Sequence, residues 1–415
     1  MKNDKIAIIG AGVSGLSSGI FLKNKGFEVT IFEKCSQPGG LIKCKRVNGS
    51  LYHICGGHIF NSKRQDVLDW FWSVFDKEKE FALADRNSVV LMPNGGFIPY
   101  PIENHMYMFD KQTQNLFIKD LLKMSQNSNI ELHSFEDFLR HRFGETLYNL
   151  YFKPYNEKVW RRDLTEVPLT WLEGKLPMPS VEEIIYNNMN HVKEKSFVHS
   201  TFWYEKKDGS QFLANKLAEG LNIKYNVEIK EVEYSQMHWN INGETFSKVI
   251  FCGNIKDLPK ILKGVSISSY ADEIERLEFH GTTSVFCEID KNSYSWIYLP
   301  DQNYDSHRII CTGNFAQSNN AEGKNTATIE FTDYLSKDDI LSNLQKIPGN
   351  PVYLDHTYNK YTYPIQKENT REMIARLKNL LSSYNFHLTG RFADWEYYNM
   401  DVAMGAAMDL CEKIN

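Results

Sequence analysis

Ile6-Ala7-Ile8-Ile9, an apolar run, leads directly into Gly10-Ala11-Gly12-Val13-Ser14-Gly15. Glycines at this spacing let the main chain turn tightly after a strand and start a helix close against it. Helical periodicity then continues to about residue 25, and 27–32 forms a second apolar run, so residues 5–32 predict a βαβ unit. The turn presents helix N-terminal N–H groups and a positive dipole end, which suit a pyrophosphate. Glu33 ends the second strand, where a carboxylate can accept hydrogen bonds from an adenosine ribose. The spacing therefore predicts a Rossmann-type α/β domain that binds a dinucleotide through Gly10, Gly12, Gly15 and Glu33.

Composition narrows the classes of partner. The chain has 415 residues, 42% of them hydrophobic and 24% charged, enough to bury two or three domain cores. Its net charge of -5 supplies no basic field for a nucleic-acid backbone, so nucleic acid is not expected as a partner. No apolar run has the length of a membrane span. Charged Lys2, Asp4 and Lys5 lead straight into the first strand, which predicts a cytoplasmic protein without a signal peptide. The 7 cysteines form no CxxC pair and read as reduced packing residues. The 12 histidines show no ligand spacing, so no metal site is assigned.

The rest of the chain alternates between patterns. Pro and Gly punctuate short strands over 87–101, whereas 107–190 is largely helical and aromatic, with Pro154, Pro168, Pro177 and Pro179 as breaks. Strand character returns at Ile223, with Val227, Ile229 and Val232 alternating, a turn at Asn242-Gly243, and a buried run over 249–252. Further strands are expected over 282–289, 295–299 and 308–313, before a last βα unit from Phe386. These patterns predict interleaved domains. A discontinuous Rossmann domain takes 1–85, 205–262 and 385–415; an inserted helical domain takes 102–200; an antiparallel or mixed β-sheet domain takes 86–101 and 263–384.

Several motifs narrow the reading further. Glu33-Lys34 followed by Pro38-Gly39-Gly40 resembles the second glycine turn of amine-oxidase-like flavoproteins, as does Gly390-Arg391-Phe392 ahead of Asn399-Met400-Asp401. Gly56-Gly57-His58-Ile59-Phe60, Pro99-Tyr100-Pro101-Ile102-Glu103-Asn104, Pro154-Tyr155-Asn156-Glu157-Lys158-Val159-Trp160, Trp171-Leu172 with Lys175, and Phe202-Trp203-Tyr204 with Gly209 follow in order. Trp296-Ile297-Tyr298-Leu299-Pro300, Arg308, Tyr363-Pro364 and Tyr397 complete the series. This succession resembles the UDP-galactopyranose mutase family.

The resemblance implies an FAD enzyme, active with reduced flavin, that interconverts the pyranose and furanose forms of a nucleotide sugar for cell-surface polysaccharide. In that chemistry flavin N5 attacks the anomeric carbon, and the diphosphate departs with no net redox change. It implies cofactor contacts from Gly10, Gly12, Gly15, Glu33, Gly39, Gly40, Gly57, His58, Val227, Arg391, Asn399 and Met400. Tyr100, Glu103, Asn156, Trp160, Lys175, Arg308, Tyr363, Tyr397 and Asn399 fall at substrate positions, with His58, Arg308, Lys175, Tyr363 and Tyr397 nearest the chemistry. Lys175 stands where the family places an arginine, Arg161-Arg162 where a small residue is usual, and Glu103 where a glutamine can occur. The motifs leave open the sugar, the base and the oligomeric state, a homo-oligomer included. The competing reading is an FAD oxidoreductase of the amine oxidase, protoporphyrinogen oxidase or desaturase type, which the flavin motifs alone fit equally well.

Overall fold

A computed structural model of the chain describes residues 4–126, 132–169, 179–192 and 201–415. Strand Lys5–Ile9 lies in a parallel sheet of five strands, flanked by Glu28–Phe32 on one side and Lys248–Phe251 on the other. Phe386–Leu388 and Asn222–Lys224 are the two edges. Side chains alternate across the strand, so Ile6 and Ile8 face one core and Ala7 and Ile9 the other. The first core holds helix Val13–Asn24 against the C-terminal helix Met400–Glu412. This is the expected Rossmann architecture, completed by strands that lie far from the glycine turn in sequence.

Two more sheets surround it. Glu244–Phe246, His238–Ile241, Val232–Ser235 and Leu262–Lys263 form a small sheet. Its hairpin turns at Asn242 and Gly243, both at positive φ (51° and 79°), as a two-residue primed turn requires. The larger sheet has seven strands in the order Val352–Pro364, Phe279–Glu288, Thr326–Thr332, Arg308–Ile310, Trp296–Tyr298, Ser88–Leu91 and Phe97–Pro99. It is antiparallel except where Trp296–Tyr298 pairs with Ser88–Leu91. Along Thr326–Thr332, Ala327, Ile329 and Phe331 enter the apolar core on one face. Thr328 and Glu330 therefore face the other way.

Helices Lys111–Gln126, Phe135–Leu147, Lys153–Trp160 and Val181–Met189 form the helical layer, with an aromatic-rich core that reaches the large sheet at Trp296 and Tyr298. Among the described residues no helix is long and apolar enough to cross a membrane. Two local expectations fail. Pro154 does not break the helices: a π turn over Tyr148–Phe152 runs into Lys153–Trp160, and the proline falls in that helix's first turn, where its missing N–H costs little. Val227 and Ile229 are not in a strand, because Asn226 takes φ 58° just after Asn222–Lys224 ends. Val227 instead donates its N–H to the Glu33 carbonyl at 2.9 Å.

Trp239 is fully buried and donates its indole N–H to the Tyr384 carbonyl at 2.8 Å. Trp239→Ala is expected to cost about 3–5 kcal/mol in chemical denaturation, and Trp239→Phe distinctly less.

Candidate functional site

The glycine turn is shaped by close approach. A β-carbon on Gly15 would lie 1.9 Å from the Gly10 carbonyl oxygen, so no other residue lets helix Val13–Asn24 start so near its strand. A β-carbon on Gly12 would meet nothing closer than Gly40 Cα at 4.0 Å, and it would stand in the open groove between the two glycine turns. Those turns are tied together by the Gly39 N–H, which donates to the Ala11 carbonyl at 2.8 Å. Glu33 is buried, and its oxygens accept from the N–H groups of Ala11 (2.7 Å) and Cys35 (2.9 Å). Each oxygen keeps a lone pair for a ribose hydroxyl. Gly12, the N-cap of Val13–Asn24, has no side chain with which to cap the helix, and Asn399, the N-cap of Met400–Glu412, makes no side-chain capping bond, so both helix starts present their positive dipole ends to an anion. The residues present thus fit the diphosphate and ribose of a dinucleotide, with Val227 beside Glu33 and Met400 at the second helix start.

His58 follows in a half-buried loop, its Nε2 3.0 Å from the Leu41 carbonyl. Burial, then the charge of Arg391, pushes its pKa down to about 4, so the ring is neutral at physiological pH. Gly57 is required for packing, since a β-carbon there would sit 2.5 Å from Ile310 Cγ2; this brings the histidine loop onto the large sheet. Arg391 lies 4.7 Å from the centre of the Tyr397 ring. Its guanidinium donates to the carbonyls of Tyr398 and Thr362. It therefore braces the C-terminal segment against strand Val352–Pro364, a task the sequence reading did not assign to it.

Arg308 marks the other wall. Antiparallel pairing sets it directly opposite Glu330, which is 1% exposed and accepts from Arg308 Nε. Arg308 Nη2 donates to the Tyr363 hydroxyl at 3.2 Å, and Tyr363 stacks on Tyr397 at 5.1 Å and 6°. Burial alone would raise the Glu330 carboxyl, but the Arg308 charge and the His307 contact override it and hold it at about 2. Tyr363 is pushed well above the usual tyrosine range by burial and by neighbouring Tyr397, so its hydroxyl stays protonated. Glu330 also reaches the histidine loop: a β-carbon on Gly56 would be 3.7 Å from its Oε1. His58, Arg308, Tyr363, Tyr397 and Arg391 are thus brought together by the large sheet, the histidine loop and the C-terminal segment.

A tyrosine wall continues from there. Tyr298 packs on Tyr100 (5.0 Å) and on Tyr155 (5.6 Å). Asn156 is buried and donates to the Phe152 carbonyl at 2.7 Å, one turn back. Trp160, expected at the substrate, is 4% exposed and packs edge-on to Phe135 in the helical core; its bulk serves that core. Glu103 is 2% exposed. Among the described residues no Lys or Arg pairs with its carboxylate, and burial pushes it up to about 7. Trp171, Leu172 and Lys175 lie outside the described residues.

Residues 8–77 match the model of the NAD(P)-binding Rossmann-like domain. The UDP-galactopyranose mutase of Mycoplasma genitalium is 22% identical over 420 residues, covering 96% of this chain and 92% of that protein. The chain is similar to UDP-galactopyranose mutases along almost its whole length. The dTDP-fucopyranose mutase of Escherichia coli is likewise 22% identical, over 99% of this chain and 98% of its own. A crystal structure of reduced UDP-galactopyranose mutase superposes with a TM-score of 0.88 at 20% identity, over 100% of this chain and 94% of that one.

The sequence reading missed Glu330 and His307, and did not single out Tyr155, Lys158 and Tyr298 inside motifs it quoted. The signal for Glu330 was available: it is a lone carboxylate within the strand Thr326–Thr332, otherwise threonine and apolar.

Glu103 generates a stability prediction. Its carboxyl titrates higher folded than unfolded, so the unfolded chain gives up its proton first, and stability falls as pH rises from about 4.5 toward about 7. Glu103→Gln removes that penalty and is expected to raise Tm by roughly 2 °C or more at pH 8. At pH 5 little change is expected, as thermal melts at the two pH values will show.

Proposed function

We propose that the protein is an FAD-dependent nucleotide-sugar mutase that interconverts pyranose and furanose forms, with a UDP-sugar as the first substrate to test. The observation that carries this reading is the site where Arg308, Tyr363 and Tyr397 face the neutral His58 loop beside the dinucleotide groove, in a chain similar to such mutases throughout. FAD, when bound and reduced, supplies a nucleophile for the anomeric carbon and regains its electrons when the sugar leaves. Gly12, Gly39 and the two helix N-termini would hold its diphosphate, and Glu33 its ribose.

The chain's own residues manage charge and water. Glu330 takes the Nε edge of Arg308 and so turns the Nη edge toward a departing diphosphate, where a fork of N–H groups stabilises developing negative charge. The Tyr363 hydroxyl donates to the same oxygens or to the sugar. His58 offers a flat uncharged surface that does not compete for the anion. Tyr100, Tyr155 and Tyr298 wall off water from the anomeric centre, and Lys175 is the second cation of the clamp. Oxidation of an amine or a carbocycle needs an apolar pocket over the flavin, whereas a buried ion pair and hydroxyl-bearing rings stand here.

The purified protein is expected to carry noncovalent FAD, seen as flavin absorbance released on denaturation, and Glu33→Ala to lose it without unfolding. Prereduced enzyme under anaerobic conditions is expected to convert a UDP-pyranose to its furanose without consuming oxygen or forming peroxide. Arg308→Ala is expected to lower kcat/KM on the order of 100-fold. Exposed Arg161→Ala is expected to change it less than about threefold. Equal rates in the two variants, or steady oxygen uptake, would refute the assignment.

A further inference from the structure

We propose that Lys158 is a positioning residue for the diphosphate site: its ammonium, seated on main-chain carbonyls of the turn at 299–306, fixes where Arg308 stands relative to the helical layer. The role rests on the nucleotide-sugar reading above. Lys158 lies on helix Lys153–Trp160 and is 5% exposed. Its Nζ donates to the carbonyls of Leu299 (2.9 Å), Ser306 (3.0 Å) and Asp301, which uses all three N–H groups. Those carbonyls belong to the turn between strands Trp296–Tyr298 and Arg308–Ile310. The first strand bears Tyr298 and the second begins at Arg308.

Lys25 and Lys256 use the same triple-carbonyl contact at the ends of helices Met400–Glu412 and Ser268–Glu275, where each meets the helix dipole at a C-terminus. Lys158 meets no helix end. It is a buried cation holding a hairpin, and keeping it charged there costs desolvation. An apolar residue would fill the space but would not hold three carbonyls in one place. Neighbouring contacts point the same way. The Gln302 amide of that turn donates to the Pro154 carbonyl at 2.8 Å, and Tyr155, almost one helical turn before Lys158, packs on both Tyr298 and His307. One short helix therefore carries Tyr155 of the tyrosine wall and sets the hairpin that brings the cation to it.

The charged groups around the ammonium are Asp301 and Asp305 of the turn and Arg161 of its own helix, with His307 also near. Burial lowers Lys158 to about 8. Above that pH the amine loses one of its three donors and turns a lone pair toward a carbonyl. The hairpin is thus held below about 8, and the share of diphosphate affinity that depends on Lys158 declines as pH rises through it.

The test uses FAD-loaded wild type, Lys158→Met and Lys158→Arg, with UDP and uridine titrated separately by calorimetry and amide exchange followed over 299–310. Lys158→Met is expected to weaken UDP about 10-fold or more and uridine less than about twofold, with unchanged FAD content and faster exchange in the hairpin. The alkaline loss of UDP affinity is expected in wild type and not in Lys158→Met, and Lys158→Arg should move that loss to higher pH. Faster exchange with unaltered UDP affinity would overturn the proposal and leave the mutase reading standing. A wild type that binds neither UDP nor uridine sinks the UDP-sugar reading, and this role for Lys158 with it.

Discussion

The Glu33 carboxylate, held by the N–H groups of Ala11 and Cys35, joins three things that the fold needs in one place. It fixes the glycine turn to the end of the second strand. It places an acceptor where a ribose falls, and its own carbonyl receives the Val227 N–H, which draws in the chain returning from Asn222–Lys224. The turn itself survives only because Gly15 lets the helix sit within van der Waals reach of Gly10. Strands from 248–251 and 386–388 then complete the sheet and bring Met400–Glu412 alongside Val13–Asn24. The second open helix start therefore exists because the first sheet is finished by distant sequence.

The substrate wall has a different logic, because its polar groups are buried and must satisfy one another. Glu330 could not remain ionised in the sheet without Arg308 and His307 beside it, and Arg308 alone would be a desolvated cation. Together they form a pair whose stability value is small and whose geometric value is large: Nε is spent on Glu330, and the Nη edge is aimed. Gly57 against Ile310 sets the distance between this pair and the His58 loop. Arg391 braces the C-terminal segment that carries Tyr397. Arg391 thus has a bracing task beside the cofactor contact expected of it, while an unremarked glutamate decides how the other arginine points.

What was legible in the sequence was what is local. The βαβ unit, the Asn242-Gly243 hairpin and the strands over 279–310 follow from periodicity and turn chemistry acting within a few residues. Pro154 misled because a π turn absorbs it, and Val227 because a strand needs a partner that alternation alone does not supply. Trp160 shows the limit for large side chains, whose size suits a core and a ligand equally. Glu330 and Lys158 were passed over because their partners lie 22 and about 140 residues away: the lone carboxylate of its strand marks Glu330 as unusual but does not name Arg308, and a lysine inside a helical motif does not name a distant hairpin. Family resemblance reached Arg308 and Tyr363 but not the groups that hold them.

Glu103 shows how such burial bears on recognition. A carboxylate only accepts hydrogen bonds, whereas a protonated carboxyl has one donor and one acceptor, as a glutamine amide does. With its pKa pushed up to about 7 by burial, Glu103 can present either pattern near neutrality. A uracil edge, with its imide N–H between two carbonyls, suits the protonated form, and an edge of adjacent N–H groups suits the ionised one. A base that supplies the missing donor lowers the energy of the pocket that receives it, and one with the wrong edge leaves a polar group unpaired at a cost of about 1–3 kcal/mol. On the proposed reading, with a base seated against Glu103, choice among nucleotides would be tied to a proton whose affinity is set by burial of one side chain.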